Sequence, residues 1–360
     1  MTSLYLKLYN QLRNEILSGA YPYGTKLPSK RQLCDDMNIS VITVEHAMEL
    51  LEEEGYIESR ERSGYYVSYR EGDTFTVAGT NDTSHKDDAP HTVEAAIAPS
   101  DISTYFPFGV YAKTIRHVLS SRGESILTKS PNKGTADLRH AISDYLARNR
   151  NVYVSPEQIV IGSGSEYLYG LIVQILGRNL IYGIEKPSYK KIEQVYMAND
   201  VTCRLLTLGK DGILSSELKK TDSTVLHISP YRSYPSGVTA NAAKRREYIR
   251  WASKTTGRYI IEDDFESEFT PSTKPQETVF SLANEENVIY INSFTKTIAP
   301  SIRIAYMVLP QKLLNIYEKR AGFYSCAVPT FDQYILAEFI NSGDFERHIN
   351  RVRRKNRQTL

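Results

Sequence analysis

Hydrophobic residues recur every three or four positions through the first fifty-five residues of the chain. This spacing predicts a first helix that ends before Gly19, with apolar residues along one side at Leu4, Leu8, Leu12, Ile16 and Leu17. Ser29 is placed to cap a second, short helix that runs through Met37. A tight turn then leads to a third helix over 41–54, whose inner face carries Val44, Ala47, Met48 and Leu51.

Two short tyrosine-rich stretches, 56–59 and 65–68, follow Gly55 and predict a pair of strands. Helix, helix, tight turn, helix and hairpin is the order of a winged helix-turn-helix, which can place one helix in the major groove of DNA. The order of elements therefore predicts a DNA-binding domain over residues 1–70.

The charge of these residues is less informative, because eight Lys or Arg stand against ten Asp or Glu. DNA binding requires a basic face rather than a basic domain. Lys30 and Arg31 open the second helix, and Arg60 and Arg62 lie between the two strands. A small helical cap with ordinary solvated charges is the alternative interpretation.

Three stretches favour DNA binding, because 24–31 (GTKLPSKR), 38–40 (NIS) and 53–57 (EEGYI), together with Ser63-Gly64, resemble the GntR-type winged helix. In that family the third helix is the recognition helix and the strand pair is the wing. The resemblance implies DNA contacts from the start of the second helix, from the recognition helix and from the wing, at Lys30, Arg31, Ser40, Thr43, His46, Arg62 and Gly64. Many members of that family have Arg where this chain has Val41, and a basic residue can occur in place of Glu45. We therefore expect base recognition from Thr43, Glu45 and His46.

Residues 71–92 are polar and predict a flexible linker. Beyond them, short apolar stretches alternate with amphipathic helices such as 136–148 and 241–254, which predicts an α/β domain with a mostly parallel sheet. The predicted strands are 158–161, 179–184, 201–206, 224–228, 258–262, 288–292 and 304–309. This large domain is predicted over 93–329, and 330–360 as the start of an incomplete small domain.

Chemistry is expected beyond the carboxyl ends of these strands. One strand ends in a glycine turn, 162–165 (GSGS), whose backbone N–H groups could bind phosphate at the start of a helix. Two others lead to Asp263 and to Lys296, and Arg303 follows. Pyridoxal phosphate (PLP) needs such a set, because its aldehyde reacts with a lysine, its ring nitrogen pairs with a carboxylate and its phosphate binds N–H groups and arginine.

Four segments carry a second resemblance: 293–303 (SFTKTIAPSIR), 260–269 (IIEDDFESEF), 134–139 (GTADLR) and 185–189 (EKPSY). They resemble fold-type I aminotransferases. This implies a Schiff base at Lys296, a pyridine-nitrogen contact at Asp263, a stacking ring at Tyr189 and further cofactor contacts from Gly164, Ser165, Glu166, Ser293 and Arg303. A GntR-type winged helix fused to such a domain resembles the MocR subfamily of transcriptional regulators.

The chain also departs from the aminotransferase pattern. Phe265 stands where the family often has a tyrosine that bonds the cofactor O3′, and Tyr234 replaces an asparagine that tunes the same oxygen. Arg232-Ser233 replaces a usual His-Gln pair. The chain ends at Leu360, before the region that holds the substrate-carboxylate arginine in the family, and a fragment or a truncated reading frame is the expected explanation. If the chain is a true product, the last helix, with its basic face at 347–357, is expected to lack packing partners.

These features predict a cytoplasmic, homodimeric, PLP-dependent transcriptional regulator that binds operator DNA and senses an amine, an amino acid or the cofactor. Two alternatives stay open: a working aminotransferase with an accessory DNA-binding domain, and a DNA-binding protein whose large domain is a dimerisation scaffold. The three cysteines are widely spaced, so neither a disulfide framework nor a metal site is expected.

Overall fold

The computed structural model describes residues 4–37, 39–53, 55–60, 63–69, 106–265, 267–270, 277–283 and 287–359. They divide into two compact units. The first takes in the described residues up to 69 together with 107–117, and the second takes in residue 106 and 118–359. The division falls within helix α4 (Phe108–Arg122). The predicted linker, 71–92, lies outside the described residues.

The first unit begins with three helices, α1 (Leu4–Leu17), α2 (Lys30–Met37) and α3 (Val41–Glu53). An antiparallel hairpin of β1 (Ile57–Arg60) and β2 (Gly64–Val67) follows. This is the order that the sequence predicts, with each strand displaced by at most one residue at either end.

A small apolar core holds the first unit together. The predicted inner face of α3 is fully buried and packs against α1, at Val44, Ala47, Met48, Leu51, Leu8, Leu12 and Ile16. Two residues of the predicted α1 stripe, Leu4 and Leu17, are exposed, because they lie at the helix ends beyond this core. Ser29 caps α2 as predicted, since its Oγ accepts a hydrogen bond from the N–H of Gln32 at 3.2 Å.

The second unit is an α/β domain whose described residues form an eight-stranded sheet, in the order β3-β10-β9-β8-β7-β4-β5-β6. The strands are β3 (Ile159–Gly162), β4 (Ile181–Lys186), β5 (Thr202–Gly209), β6 (Gly212–Ile213), β7 (Val225–Ile228), β8 (Tyr259–Asp263), β9 (Val288–Ser293) and β10 (Ala305–Val308). The helices are α5 (Ala136–Arg150), α6 (Ser165–Leu176), α7 (Lys190–Ala198), α8 (Ser215–Lys220), α9 (Ala242–Ser253), α10 (Val279–Leu282), α11 (Gln311–Arg320), α12 (Thr330–Asn341) and α13 (Asp344–Thr359).

The parallel part of the sheet runs through β5, β4, β7, β8 and β9. All residues of β7 and β9 are buried, which explains why these strands read as nearly continuous apolar runs in the sequence. Because parallel strands end at the same edge, the residues that follow β4, β7, β8 and β9 are brought together. The two-residue strand β6 escaped sequence prediction because it is too short for an alternating pattern.

The last helix has packing partners, contrary to the expectation from the sequence. Phe345 and Ile349 of α13 are buried, and the ring of Phe345 lies edge-on to Phe294 with the centroids 5.5 Å apart. His348 shares a 2.8 Å hydrogen bond with the carbonyl of Thr297, next to Lys296. The helix therefore supports the loop that follows β9. Among the described helices, none is both long and apolar enough to cross a membrane.

Candidate functional site

Two adjacent acids, Asp263 and Asp264, close strand β8 at the shared carboxyl edge of the sheet, and both are buried. Asp264 is paired with the guanidinium of Arg150 and also accepts a 2.7 Å hydrogen bond from Tyr290 Oη. Asp263 has a different environment. Its Oδ2 accepts a hydrogen bond from Tyr169 Oη, whereas its Oδ1 is buried and has no hydrogen-bond partner among the described residues.

A histidine supports Asp263 from the neighbouring strand. Nε2 of His227, on β7, lies 3.5 Å from Asp263 Oδ2. On the other side of the ring, His227 Nδ1 shares a 2.7 Å hydrogen bond with Tyr196 Oη. The side chains of Asp263, His227 and Tyr196 are buried. His227, held by Tyr196, and Tyr169 together fix the position of the Asp263 carboxylate.

Lys296 lies in the loop after β9, the strand next to β8. Its Nζ is 5.1 Å from the centroid of the Phe265 ring, two residues beyond Asp263, so the lysine lies at the same edge of the sheet as the acid. Burial, and next the positive charge of Arg232, lower the pKa of Lys296 to about 8. At pH 7 about a tenth of this amine is therefore unprotonated and can act as a nucleophile, far more than for a lysine in water.

The glycine turn after β3 opens helix α6, as the sequence predicts. Gly164 is the N-cap with φ +86°, a conformation that strains other residues, and no side chain caps the helix there. A Cβ at this position would lie 2.6 Å from Nη2 of Arg303. The backbone of 164–165 and the Arg303 guanidinium thus form a cradle for an anion at a helix N-terminus.

An acid belongs to this cradle. Glu166 Oε1 is 3.1 Å from Lys191 Nζ, and its Oε2 is 3.8 Å from Arg303 Nη2. The carboxylate therefore holds two cations beside the helix N-terminus. We expect the contact of Glu166 with an anionic ligand to come from its backbone N–H rather than from its side chain.

The remaining candidates lie around this edge. Tyr189 precedes α7 and is partly exposed, and its ring meets that of Tyr234 edge-on, with the centroids 6.2 Å apart. Ser293 is the last residue of β9 and is buried, with its N–H bonded to Asn292 Oδ1 at 2.6 Å. The structure thus groups Gly164, Glu166 and Arg303 in one cluster and Lys296, Phe265 and Arg232 in another.

These residues fit PLP. The buried, unpartnered Oδ1 of Asp263 suits a protonated ring nitrogen, and the cradle at Gly164 suits a phosphate. Lys296 supplies the amine that an aldehyde requires. Among the described residues, no group of three or more His, Cys, Asp or Glu side chains is arranged to hold a metal ion.

The predicted DNA-contacting residues all belong to the first unit, and several of them contact each other. Ser40 caps α3, since its Oγ accepts from the N–H of Thr43 at 3.2 Å and lies 2.8 Å from the Thr43 hydroxyl. Lys30 is paired with Glu45 at 2.9 Å. His46 is exposed, and Tyr5 lies edge-on to it, with the ring centroids 5.9 Å apart.

Two further candidates have simpler surroundings. Arg31 is exposed and makes no ion pair within the part of the chain that the structure describes. Gly64 opens β2 with φ +112°. Arg62 lies outside the described residues.

The sequence analysis missed the residues that hold the two aspartates. Tyr169 follows Ser165 by one helical turn, so the helical period of α6 could have placed it above the glycine turn. His227 was detectable as a polar residue inside the apolar run 225–228. The sequence around Arg150 does not indicate its pairing with Asp264, because the two residues are 114 positions apart.

A lysine, a carboxylate and an anion cradle at one sheet edge define an aminotransferase-like domain, and the first unit defines a winged helix-turn-helix. Residues 4–67 match the family described as bacterial regulatory proteins, gntR family, and residues 90–360 match aminotransferase class I and II. The chain belongs to the HTH-type transcriptional regulators that combine these two domains, the MocR subfamily.

Two relatives illustrate the match. The chain is 31% identical to the HTH-type transcriptional regulator YdeL of Bacillus subtilis, over 98% of this chain and 76% of YdeL. It is 27% identical to the probable rhizopine catabolism regulatory protein MocR of Rhizobium meliloti, over 98% of this chain and 74% of that protein. These homologues are regulators, which favours a regulatory function over an enzymatic one.

A solved structure agrees with the fold of the second unit. Kynurenine aminotransferase of Pyrococcus horikoshii, in complex with PMP, superposes with a TM-score of 0.63 at 25% identity. The match covers 70% of this chain and 64% of the aminotransferase, so the chain spans just under two thirds of the length of that enzyme.

Proposed function

We propose that this chain is a PLP-dependent transcriptional regulator that binds operator DNA as a homodimer and senses an amine, an amino acid or the cofactor. The winged helix occupies 1–70, a linker 71–92 and the cofactor-binding domain 93–329, and the start of a small domain follows at 330–360. Because its relatives are bacterial DNA-binding regulators, the proposed place of action is the cytoplasm.

The environment of Asp263 is the observation that supports this proposal most directly. A buried carboxylate with an unpartnered oxygen is costly unless a donor meets it. Lys296 approaches the same edge with its pKa lowered to about 8. A ligand with both an aldehyde and a protonated ring nitrogen would use both groups.

Each residue has a distinct task at this site. When bound, PLP supplies the aldehyde and an electron-accepting ring. Asp263 accepts the hydrogen bond of the ring nitrogen, while His227 and Tyr169 keep it oriented. Arg303 and the N–H groups of 164–166 bind the phosphate, together with Ser293, and Tyr189 covers the ring.

The site lacks two groups that tune the cofactor in aminotransferases. Phe265 has no hydroxyl to donate to the cofactor O3′, and Tyr234 is exposed in the place of the asparagine. We therefore expect binding and sensing rather than steady transamination. Sustained turnover of an amino donor and a keto acceptor by the purified chain would favour the enzyme instead.

Visible absorbance tests the cofactor site. Adding PLP to the purified chain should produce a band that borohydride bleaches, with mass added to Lys296 after proteolysis. Lys296→Ala should abolish both, whereas Lys210→Ala, at an exposed turn, should change neither. The absence of a band in the wild-type chain would favour the interpretation of the large domain as a dimerisation scaffold. A band that survives in Lys296→Ala would show that PLP attaches to another residue.

DNA binding tests the coupling between the two domains. The affinity for a selected operator, measured by fluorescence anisotropy with and without PLP and with a panel of amines, should change with the cofactor or with one of the amines. An affinity that none of them alters would contradict a sensory role.

A further inference from the structure

The first turn of helix α3 exposes two large apolar side chains. Val41 is 52% exposed and Ile42 is 66% exposed, whereas Val44, Ala47 and Met48 on the same helix are fully buried. The apolar pattern of α3 thus continues onto its outer surface only at its N-terminal end. Isolated exposed apolar residues are common, but two adjacent ones at the start of a recognition helix lie where such helices contact bases.

The polar side chains nearby are engaged within the protein. The hydroxyls of Ser40 and Thr43 lie 2.8 Å apart, and Ser40 also caps the helix. Glu45, one turn further along, is paired with Lys30, whose ammonium also lies over the Tyr65 ring. These contacts reduce the capacity of Thr43 and Glu45 to read base edges.

Apolar side chains recognise one feature in the major groove. Of the four base pairs, only A·T and T·A present a methyl group there, the C5-methyl of thymine. Arg31, exposed at the start of α2, provides charge for the phosphate backbone beside the groove. The surface formed by Val41 and Ile42 is therefore suited to thymine methyls and offers no hydrogen bond to any base.

We propose that Val41 and Ile42 determine operator specificity by packing on thymine methyl groups, so that each half-site contains A·T pairs under the first turn of α3. This proposal rests on the operator binding proposed above. It places sequence recognition on the two aliphatic residues rather than on Thr43 and Glu45.

The test removes the methyl groups from the DNA. An operator is first selected from random duplexes with the full chain, and each thymine is then replaced by deoxyuridine, which pairs identically but lacks the methyl. Affinity should fall about fourfold for each contacted methyl, the worth of one buried methylene. Thymines outside the contact should tolerate the replacement.

Variants connect the effect to the protein. Ile42→Ser and Val41→Ser should weaken binding to the thymine operator and should each abolish the penalty of one uridine position. Leu4→Ser, which changes a 57% exposed leucine on α1, should retain the full penalty. Because the altered side chains are exposed, we expect the variants to fold.

The outcomes separate this proposal from the function on which it rests. Selection of an operator that binds equally well with uridine throughout would overturn methyl recognition and leave operator binding intact. Uridine penalties that persist in both serine variants would also overturn it. A chain that enriches no sequence would overturn methyl recognition and operator binding together.

Discussion

Arg150, the last residue of α5, pairs with Asp264 at the end of β8, and both side chains are only 3% exposed. Tyr290 Oη donates to the same carboxylate oxygen. This pairing assigns the two neighbouring acids to different tasks. Asp264 ties a helix to the sheet, whereas Asp263 has a buried oxygen with no hydrogen-bond partner among the described residues, the oxygen proposed above to meet the cofactor.

The matched substitutions Asp263→Asn and Asp264→Asn should separate these tasks. Asp264→Asn leaves the Arg150 charge buried without its partner and should lower the free energy of unfolding by about 3–5 kcal/mol. Asp263→Asn should fold but bind PLP more weakly, because the ring nitrogen loses its anion. Urea unfolding of the cofactor-free variants and PLP titration measure the two effects, and a reversed pattern would contradict the assignment.

Gly164→Ala should weaken PLP binding about tenfold or more, the cost of about one hydrogen bond to a charged group. The new Cβ meets the Arg303 guanidinium in a backbone conformation reserved for glycine. Gly170→Ala is the control, because its Cβ finds only an ordinary contact at 3.7 Å. Dissociation constants for PLP and for inorganic phosphate should both rise in the first variant, and equal constants in the two variants would disprove the cradle.

The rate of PLP attachment should depend on pH through Lys296. Since the unprotonated amine reacts and its pKa is about 8, the rate should rise about tenfold per pH unit below 8 and level off above it. Arg232→Gln removes a nearby positive charge, so the plateau should move to higher pH. Stopped-flow absorbance from pH 6 to 10 measures both curves, and identical midpoints would rule out this influence of Arg232.

Arg31→Ala should weaken DNA binding nearly equally for all sequences. If Arg31 contacts one phosphate, the slope of log affinity against log salt should become shallower by about 0.9. Fluorescence anisotropy at several salt concentrations measures the slope for a selected operator and for unrelated DNA. Arg246→Ala, on helix α9, serves as the control, and a loss confined to the operator would assign Arg31 to base recognition.

Glu185→Gln should flatten part of the pH dependence of stability. Burial raises the pKa of Glu185 from 4.5 to about 7, although Ser233 donates to it. The folded state therefore holds a proton that the unfolded state releases near pH 4.5, so the unfolding free energy declines as pH rises from about 4.5 to 7.

The decline due to Glu185 should be on the order of 1 kcal/mol per pH unit. Urea unfolding of the cofactor-free chain at pH 5, 6, 7 and 8 gives the comparison. Glu124→Gln, at an exposed position, should leave the profile unchanged. If Glu185→Gln declines as steeply as the wild-type chain, Glu185 is ionised throughout this range.

Local periodicity in the sequence was sufficient to predict the order of elements up to β2 and seven of the eight strands of the large sheet, but not helix α4 or strand β6. The helical spacing of Leu8, Leu12 and Ile16 and the apolar runs of β7 and β9 each reflect burial of one element at a time. The same logic placed Lys296 and Asp263 at one sheet edge, because parallel strands end together. It overestimated the length of the buried apolar stripe of α1. The end residues Leu4 and Leu17 are exposed, because periodicity does not show where a core ends.

Tertiary structure alone decided which partners these residues have. His227 beside Asp263, Arg150 beside Asp264 and the packing of α13 join residues tens to more than a hundred positions apart. The pairing of Lys30 with Glu45 likewise joins α2 to α3 across fifteen positions of the sequence. Such contacts depend on how buried polar groups are satisfied across the fold. The spacing of residues along the chain therefore does not predict which distant residues become partners.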